Sequence, residues 1–469
     1  MPKNDVEFCQ FFKQLFIYDI GEKGEGLVLL RYDKGTILAW GDVKVPNSSW
    51  DPRVGAFRTM ALYYCEVLGF LRSSRLDFKD DVLDLLPCPE LVAKTKLRGY
   101  QDEALKSWLA AGKRGVIVLP TGSGKTVIAM AAISHINAPA IVVVPTLDLM
   151  EQWRANLQKE FDVEVGICGG GETNLKAITV STYDSAYIRA EELGNKFSLV
   201  IFDEVHHLPA PSYSQIAELF ATPFRMGLTA TYVREDEGHE LLPRLVGNVV
   251  YELETDDLAG THLSHYTLEK MFVELEVDEQ AEYEENYEMF KSFLRRKRVR
   301  LRSPRDFQRF IMRTGTDPDA RQALLARNKA LDIALNSSSK IQALQKLLAN
   351  NTNEKILIFT QHNKLVYRIS KEFLIPAITH QTSKEERYEI LHKFRSGAYT
   401  RIVTSRVLDE GIDVPDATLG VILSGTGSSR EFIQRLGRLL RKREGKRARL
   451  VEIVSSETKE TQISQRRRK

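Results

Sequence analysis

The chain is 469 residues long, 43% hydrophobic and 28% charged, with 66 Lys+Arg against 63 Asp+Glu and a formal net charge of +3. That balance belongs to an ordinary globular protein and excludes a disordered chain, a collagen-like repeat and a disulfide scaffold. The length suggests roughly three domains, and the small net charge conceals strong local segregation.

Residues 1–88 are expected to form a small α+β domain. Gly26-Leu-Val-Leu-Leu-Arg-Tyr and Gly35-Thr-Ile-Leu-Ala-Trp read as short strands, and Asp33-Lys34-Gly35 between them is a hairpin signal. The apolar spacing over 56–71 suits a helix, and Pro87-Cys-Pro reads as a linker. Over 89–250 the pattern changes. Gly115-Val-Ile-Val-Leu, Ala140-Ile-Val-Val-Val, Ile178-Thr-Val-Ser, Leu199-Val-Ile-Phe and Arg225-Met-Gly-Leu-Thr alternate with helical patterns. Such alternation predicts a parallel sheet covered on both faces.

The segment 251–322 has another character. Residues 274–288 are rich in Glu and hold no Lys or Arg, whereas 291–313 carry Lys291, Arg295, Arg296, Lys297, Arg298, Arg300 and Arg302 among others, against the single acid Asp306. Tyr283, Tyr287, Phe290 and Leu294 recur at helical spacing, which predicts a helical insert with an acidic and a basic end. Over 323–460 a second set of apolar runs returns: Lys355-Ile-Leu-Ile-Phe, Ala377-Ile-Thr, Arg401-Ile-Val-Thr, Leu419-Gly-Val-Ile-Leu and Ala448-Arg-Leu-Val-Glu-Ile. The fold class is therefore α/β, with two doubly wound parallel-sheet modules in tandem. Residues 461–469, ending Arg466-Arg-Arg-Lys469, read as a disordered basic tail.

Cys9, Cys65, Cys88 and Cys168 make no C-x-x-C pair and read as free thiols. The start of the chain lacks the pattern of a signal peptide. The apolar stretch 127–144 is interrupted by Ser134, His135, Asn137 and Pro139, so no membrane span is expected. A cytoplasmic, nucleoid-associated protein is the expectation.

The sharpest chemical signal is Leu119-Pro-Thr-Gly-Ser-Gly-Lys-Thr126, between a strand and a helix. Glycines there let backbone N–H groups close around phosphates, and the next helix aims its positive end at them. Pro120, Thr121, Gly122, Ser123, Gly124, Lys125 and Thr126 are the expected phosphate cradle. Lys125 would reach the β- and γ-phosphates, and Thr126 would hold Mg²⁺. In Leu199-Val-Ile-Phe-Asp203-Glu204-Val-His206, an apolar strand delivers two carboxylates to its carboxyl end. Asp203 suits the metal shell, and Glu204 suits the metal site and the activation of water.

These residues, with Thr229-Ala-Thr231 and Gln434-Arg-Leu-Gly-Arg438-Leu-Leu-Arg441, resemble in order the motifs of superfamily 2 helicases. The resemblance implies two RecA-like motor domains with ATP in their cleft. Gln434, Arg438 and Arg441 would lie on one helical face of the second, with Arg441 as first choice for the arginine finger. Leu97-Arg98-Gly-Tyr-Gln101 is similar to the adenine-sensing segment, with Gln101 as base reader. Pro145-Thr146 and Ser181-Thr182 resemble strand-contacting motifs, as do Ile358-Phe-Thr-Gln-His362 and Val403-Thr404. Asp413 would touch ribose or couple the two sites. His206, Thr229 and Thr231 would couple nucleotide to neighbouring segments.

Arg234-Glu235-Asp236, just after Thr231, resembles the Arg-Glu-Asp element of the XPB helicases, and the basic insert resembles that family's thumb-like segment. An archaeal-type member is implied, with ATP and Mg²⁺ as cofactors. Its substrate would be single-stranded, forked or damaged duplex DNA, moved along 3′ to 5′ in nucleotide excision repair. A repair nuclease would be a partner, and the protein would be a monomer away from membranes. Residues 1–88 would recognise damage. Arg234, Glu235 and Asp236 would help to part strands, and Lys291, Arg295, Arg296 and Arg298 would bind DNA, with Phe290, Phe293, Phe307 and Phe310 free to wedge or stack. Competing readings are a double-strand translocase without unwinding, a nucleotide-gated DNA scaffold and an RNA helicase.

Overall fold

The computed structural model of the chain describes residues 27–234, 236–254, 257, 265–405, 417–425 and 447–466. The expectations for Glu235, Asp413, Gln434, Arg438 and Arg441 lie outside the described residues.

The predicted hairpin at Asp33 forms. β1 (Val28–Asp33) pairs antiparallel with β2 (Thr36–Trp40), and Lys34 and Gly35 both take positive φ, 46° and 84°. A mirror-type turn of this kind follows the strand twist. A Cβ on Gly35 would also lie 2.3 Å from Leu219 Cδ2, so glycine is required twice over. With β3 (Ser49–Asp51), β4 (Ala56–Met60) and β5 (Phe78–Asp81) these strands make a five-stranded mixed sheet ordered β3-β4-β2-β1-β5. The helix expected over 56–71 starts later, because Ala56–Met60 is strand β4 and α1 runs Tyr64–Ser73. Cross-strand pairing of β4 with β2 and β3 overrides the helical spacing there.

This sheet belongs to one of two structural units. That unit takes in the described residues up to Leu86 together with Arg189–Ser198 and Gln215–Pro223. Its core gathers Leu30, Ile37, Val67 and Leu71, and the Tyr32 hydroxyl donates to the carbonyls of Glu191 and Leu219 at 3.0 and 3.1 Å.

The second unit holds two further sheets. One has eight strands: β6 (Arg114–Val118), β7 (Ala140–Val144), β8 (Val165–Gly169), β9 (Glu172–Asn174), β10 (Ile178–Thr182), β11 (Leu199–Asp203), β12 (Phe224–Thr229) and β13 (Val249–Glu252), in the order β13-β6-β12-β11-β7-β10-β8-β9. All pairs are parallel except β8–β9. Helices α2 (Gly99–Ala110), α3 (Lys125–Ile136) and α4 (Leu147–Phe161) pack on it. The other sheet has six strands, all parallel: β14 (His265–Val273), β15 (Ile356–Phe359), β16 (Ala377–Ile378), β17 (Arg401–Thr404), β18 (Leu419–Ile422) and β19 (Arg447–Ser455), in the order β14-β19-β18-β15-β17-β16. The tandem α/β expectation is met.

The helical reading of 251–322 changes at its start. His265–Val273 is a strand paired along its whole length with β19, so it belongs to the second motor sheet. The insert itself is three helices, α5 (Val277–Arg296), α6 (Pro304–Arg313) and α7 (Pro318–Leu335). Its aromatic residues are not free to wedge: Phe290, Phe293 and Phe310 are buried with Ala320 and Ala323, and Phe307 packs against them under the Arg327 guanidinium. A three-helix insert this small needs its large apolar side chains for its own core.

Helices α8 (Ser338–Asn350), α9 (Asn363–Phe373), α10 (Lys384–Ser396) and α11 (Lys459–Arg466) complete the second motor domain. The tail expectation for 461–469 is corrected as far as residue 466, since α11 is ordered and Ser464 on it is buried. What fixes α11 is charge. Lys340 and Glu460 are each 1% exposed and meet at 2.6 Å. Lys340 Nζ also donates to the Leu423 carbonyl at 2.7 Å, while Glu460 accepts the Ser455 N–H at 2.9 Å. Removing one partner would strand the other charge in the interior. Lys340→Met or Glu460→Gln is therefore expected to cost about 3 to 5 kcal/mol, read as a lower denaturation midpoint. An unchanged midpoint would show that water reaches the pair.

Candidate active site

β6 ends in the loop 119–124, and α3 begins at Lys125 with Gly124 as its cap at φ 83°. Gly122 has φ 85°, so both glycines adopt the left-handed region the cradle needs. Gly124 has a second reason: a Cβ there would lie 2.6 Å from Gln101 Nε2. Lys125 Nζ donates to the carbonyls of Leu119 and Pro120 at 3.0 and 3.4 Å. The hydroxyls of Thr121 and Ser123 are buried without a hydrogen-bond partner. Orphaned buried donors around a glycine loop at a helix N-terminus fit a phosphate chain.

Gln101, the expected base reader, is only 3% exposed and spends its amide on this loop. Its Nε2 donates to the carbonyls of Ser123 at 3.0 Å and Gly124 at 3.4 Å, and its Oε1 accepts the Arg98 N–H at 2.9 Å. The Tyr100 hydroxyl joins it on the Ser123 carbonyl at 2.5 Å. Leu97 packs against the core and Arg98 is exposed.

Asp203 closes β11. The sheet order sets one strand, β12, between β11 and β6, so the two edges are roughly 10 Å apart, the span of a phosphate chain and its metal. Asp203 is 8% exposed, and its carboxylate accepts from Trp153 Nε1 at 2.8 Å and from the Glu204 N–H at 3.0 Å. Burial pushes its carboxyl above the usual range, while the Trp153 bond and the charges of Lys125 and His207 pull the other way. The Tyr183 hydroxyl donates to the Asp203 carbonyl at 3.1 Å. Glu204 takes φ 47°, a left-handed conformation that costs a non-glycine residue about 1 to 3 kcal/mol and clusters at functional sites. Trp153 and Tyr183 were not among the residues the sequence singled out. Their polar tips, which need buried partners, were the available signal.

Thr126, Asp203 and Glu204 remain the metal candidates. Among the described residues no group of three or more His, Cys, Asp or Glu forms a metal cluster. A magnesium site completed by phosphate oxygens and water needs none.

His206 is fully buried, with Nδ1 3.4 Å from Glu204 Oε2 and 3.1 Å from Thr229 Oγ1. Thr229 Oγ1 in turn donates to the Thr231 carbonyl at 2.8 Å and accepts the Thr231 N–H at 3.1 Å. The three expected coupling residues are thus one hydrogen-bonded chain from Glu204. Arg234 joins it: the guanidinium donates to the His206 carbonyl and grips Asp236 at 2.8 and 2.6 Å. It faces inward to the carboxylate motif rather than outward to a strand. Asp236 is exposed, and Arg234 holds its carboxyl well below the usual range.

The threonines expected to meet DNA have other duties. Thr146 caps α4 by accepting the Leu149 N–H at 3.2 Å, and Thr182 accepts the Ser185 N–H at 3.2 Å. Thr404 is fully buried and donates to the Ser405 carbonyl at 3.0 Å. A threonine that ends a strand and starts a helix is an N-cap before it is anything else. Because Thr182 pairs with Val144, these two helix N-termini lie side by side at one edge of the sheet. In the insert, Arg295 pairs with Glu288, Arg296 and Lys297 with Asp319, and Arg313 with Asp317, while Lys291 lies 3.8 Å from Glu288. Among the described residues Arg298, Arg300 and Arg302, in the α5–α6 loop, are exposed and form no ion pair within 4.0 Å.

If burial of an ionised Asp203 is a cost carried for function, Asp203→Asn should melt no lower than the parent while abolishing nucleotide hydrolysis. A clearly lower melting temperature would contradict that reading.

Three family models match this chain. The one described as Type III restriction enzyme, res subunit, covers residues 94–234, and Helicase conserved C-terminal domain covers 339–443. Xeroderma pigmentosum group B helicase damage recognition domain covers 30–82. The chain is 48% identical to the DNA 3'-5' translocase XPB2 of Sulfurisphaera tokodaii, over 94% of this chain and 100% of that one. It is 28% identical to the DNA 3'-5' helicase XPB of Mycobacterium tuberculosis, over 80% of this chain and 63% of that one. It is 26% identical to the general transcription and DNA repair factor IIH helicase/translocase subunit XPB/SSL2 of Saccharomyces cerevisiae, over 86% of this chain but 47% of that one. Among solved structures, the Pyrococcus furiosus Hef helicase domain shares the fold, with a TM-score of 0.55 at 20% identity over 80% of this chain and 98% of that one. No helix among the described residues is long and apolar enough to cross a membrane.

Proposed function

This chain belongs to the XPB family of helicases, and on that footing we propose that it is an ATP-driven motor that moves 3′ to 5′ on DNA and opens duplex in nucleotide excision repair. The observation that carries the reading is the shared sheet edge, where the Lys125 loop and the strained Asp203-Glu204 turn face the same space, in a chain of which 94% matches an archaeal translocase.

Lys125 and the loop N–H groups hold the phosphates. Mg²⁺, held by Thr126 and Asp203, would neutralise charge on the β- and γ-phosphate oxygens. Glu204 orients the attacking water and takes its proton. The resemblance assigns Gln434, Arg438 and Arg441 to the triphosphate, with Arg441 as the finger for the γ-phosphate, and Asp413 to the ribose. Gln101 acts on the loop carbonyls, so a nucleotide that reshapes the loop is felt at Gln101. His206, Thr229, Thr231 and Arg234 carry the state of Glu204 towards Glu235 and Asp236. DNA lies along the Thr146 and Thr182 helix ends and the segment of Thr404. The thumb-like insert adds Arg298 and its loop neighbours, with Lys291, Arg295 and Arg296 as weaker, shared contacts. Residues 1–88 read damaged or forked DNA, as the name of the matching family model suggests. The resemblance also makes the protein a cytoplasmic, nucleoid-associated monomer with a repair nuclease as partner.

One observation favours the second reading, translocation along duplex without unwinding: the insert's phenylalanines are in its core, so they offer no wedge. The test is ATP hydrolysis with no nucleic acid, single-stranded DNA, forked DNA and RNA, beside unwinding of the fork and displacement of a triplex strand. DNA should stimulate hydrolysis, and Glu204→Gln should lower the stimulated rate on the order of 10² to 10⁴. Fork unwinding supports the first reading, triplex displacement without it the second, and hydrolysis indifferent to DNA would contradict both.

A further inference from the structure

Arg387 and Asp148 are far apart in sequence and belong to different motor domains, yet they are bonded. The Arg387 guanidinium donates through Nη1 to Asp148 Oδ2, and the two side chains are 16% and 27% exposed. Arg387 lies near the N-terminus of α10, behind the cap that Ser383 gives to the Glu386 N–H. A positive charge is disfavoured there by the helix dipole, so α10 gains nothing from it. Its donors are also underused. Nη2 reaches the Thr382 carbonyl at 3.3 Å, and Nε is buried with no hydrogen-bond partner. A guanidinium has five N–H donors in a planar fork that suits a carboxylate or a phosphate, and Asp148 engages only part of that fork.

Asp148 sits in the first turn of α4, two residues after Thr146, on the edge along which the DNA strand is proposed to run. We propose that Asp148 stands in for a strand phosphate on Arg387. The carboxylate keeps a dehydrated guanidinium pointed at the strand path, and an arriving phosphate oxygen displaces it. The exchange swaps one anion for another on a cation already stripped of water. It also breaks a tie between the two motor domains, so strand binding and release of domain motion become one event. Asp148 repels the phosphate until it yields, which weakens binding to nucleic acid that cannot reach Arg387.

The inference rests on the DNA-motor reading, and its test is separate from the hydrolysis assay. Affinity for a labelled oligodeoxythymidylate is measured over a salt series for the parent, Asp148→Asn, Arg387→Ala, Arg387→Lys and the Asp148→Asn/Arg387→Ala pair. Asp148→Asn should tighten binding about threefold to tenfold. Arg387→Ala should weaken it by a similar factor and reduce the slope of log affinity against log salt by about 0.7. Arg387→Lys, which keeps the charge and is the safer variant for folding, should keep the slope and lose part of the affinity. On the Arg387→Ala background Asp148→Asn should change little. Equal tightening by Asp148→Asn on both backgrounds would reduce the effect to general charge and overturn the proposal, as would an Arg387→Ala affinity and slope equal to the parent's. If the parent hydrolyses ATP without regard to DNA, it is the motor reading that fails; if the parent is stimulated and the two positions are not coupled, only the stand-in role fails.

Discussion

A carboxylate that the fold keeps from water is the constraint on which the rest depends. Asp203 ends a strand buried along its length, is sealed by an indole, and is held above the usual carboxyl range by that burial. The interior charges for such a group unless a cation meets it. The charge of Lys125 acts on it, and a phosphate-bound magnesium is the cation that the chemistry calls for. Much of the first motor domain can be read as support for this arrangement: Trp153 and Tyr183 fix Asp203 in place, Gln101 and Tyr100 hold the loop that carries Lys125, and Glu204 is bent into a left-handed turn beside it.

From that carboxylate pair a continuous line of hydrogen bonds leads outward. Glu204, His206, Thr229 and Thr231 are successive members, and Arg234 joins as a branch at the His206 carbonyl. A chain of this kind can take two arrangements, and a change in the group that Glu204 faces biases which one is held. The Arg387–Asp148 tie gives the nucleic-acid edge a counterpart: an ion pair that one domain loses when an anion arrives at the other. Nucleotide and strand would then act on the same pair of domains from the carboxyl edge of the first motor sheet, where the Lys125 loop, Asp203, Thr146 and Thr182 all lie.

The parts of the molecule legible in the sequence were those whose signal is local. The phosphate loop, the carboxylates after an apolar strand and the expected strand runs of both motor sheets are patterns of neighbouring residues, and they form where expected. What the sequence hid was set by partners far along the chain. His265–Val273 looks charged and mixed, and becomes a strand only because β19, about 180 residues on, pairs with it. β8 was not among the expected strands; its Gly166 is required because a Cβ there would lie 2.3 Å from the Asn174 carbonyl oxygen, a neighbour from β9. The basic run of the insert looked like one electrostatic face, but Asp317 and Asp319 fold back from the next helix and answer part of it. Residues 461–466 read as part of a disordered basic tail because a lysine more than a hundred positions earlier, Lys340, supplies the charge that docks their helix through Glu460. Threonines before helices were read as phosphate contacts when capping already claims their hydroxyls.

The central claim is that breaking a triphosphate between two domains advances the protein along a strand. The most direct measurement is the rate of ATP hydrolysis per bound protein on single-stranded DNA of increasing length. A motor that steps along its track and starts anew after reaching an end should hydrolyse faster as the strand lengthens, up to a plateau. A rate that is the same on every length to which the protein can bind would contradict the account and leave a nucleotide-gated clamp in its place.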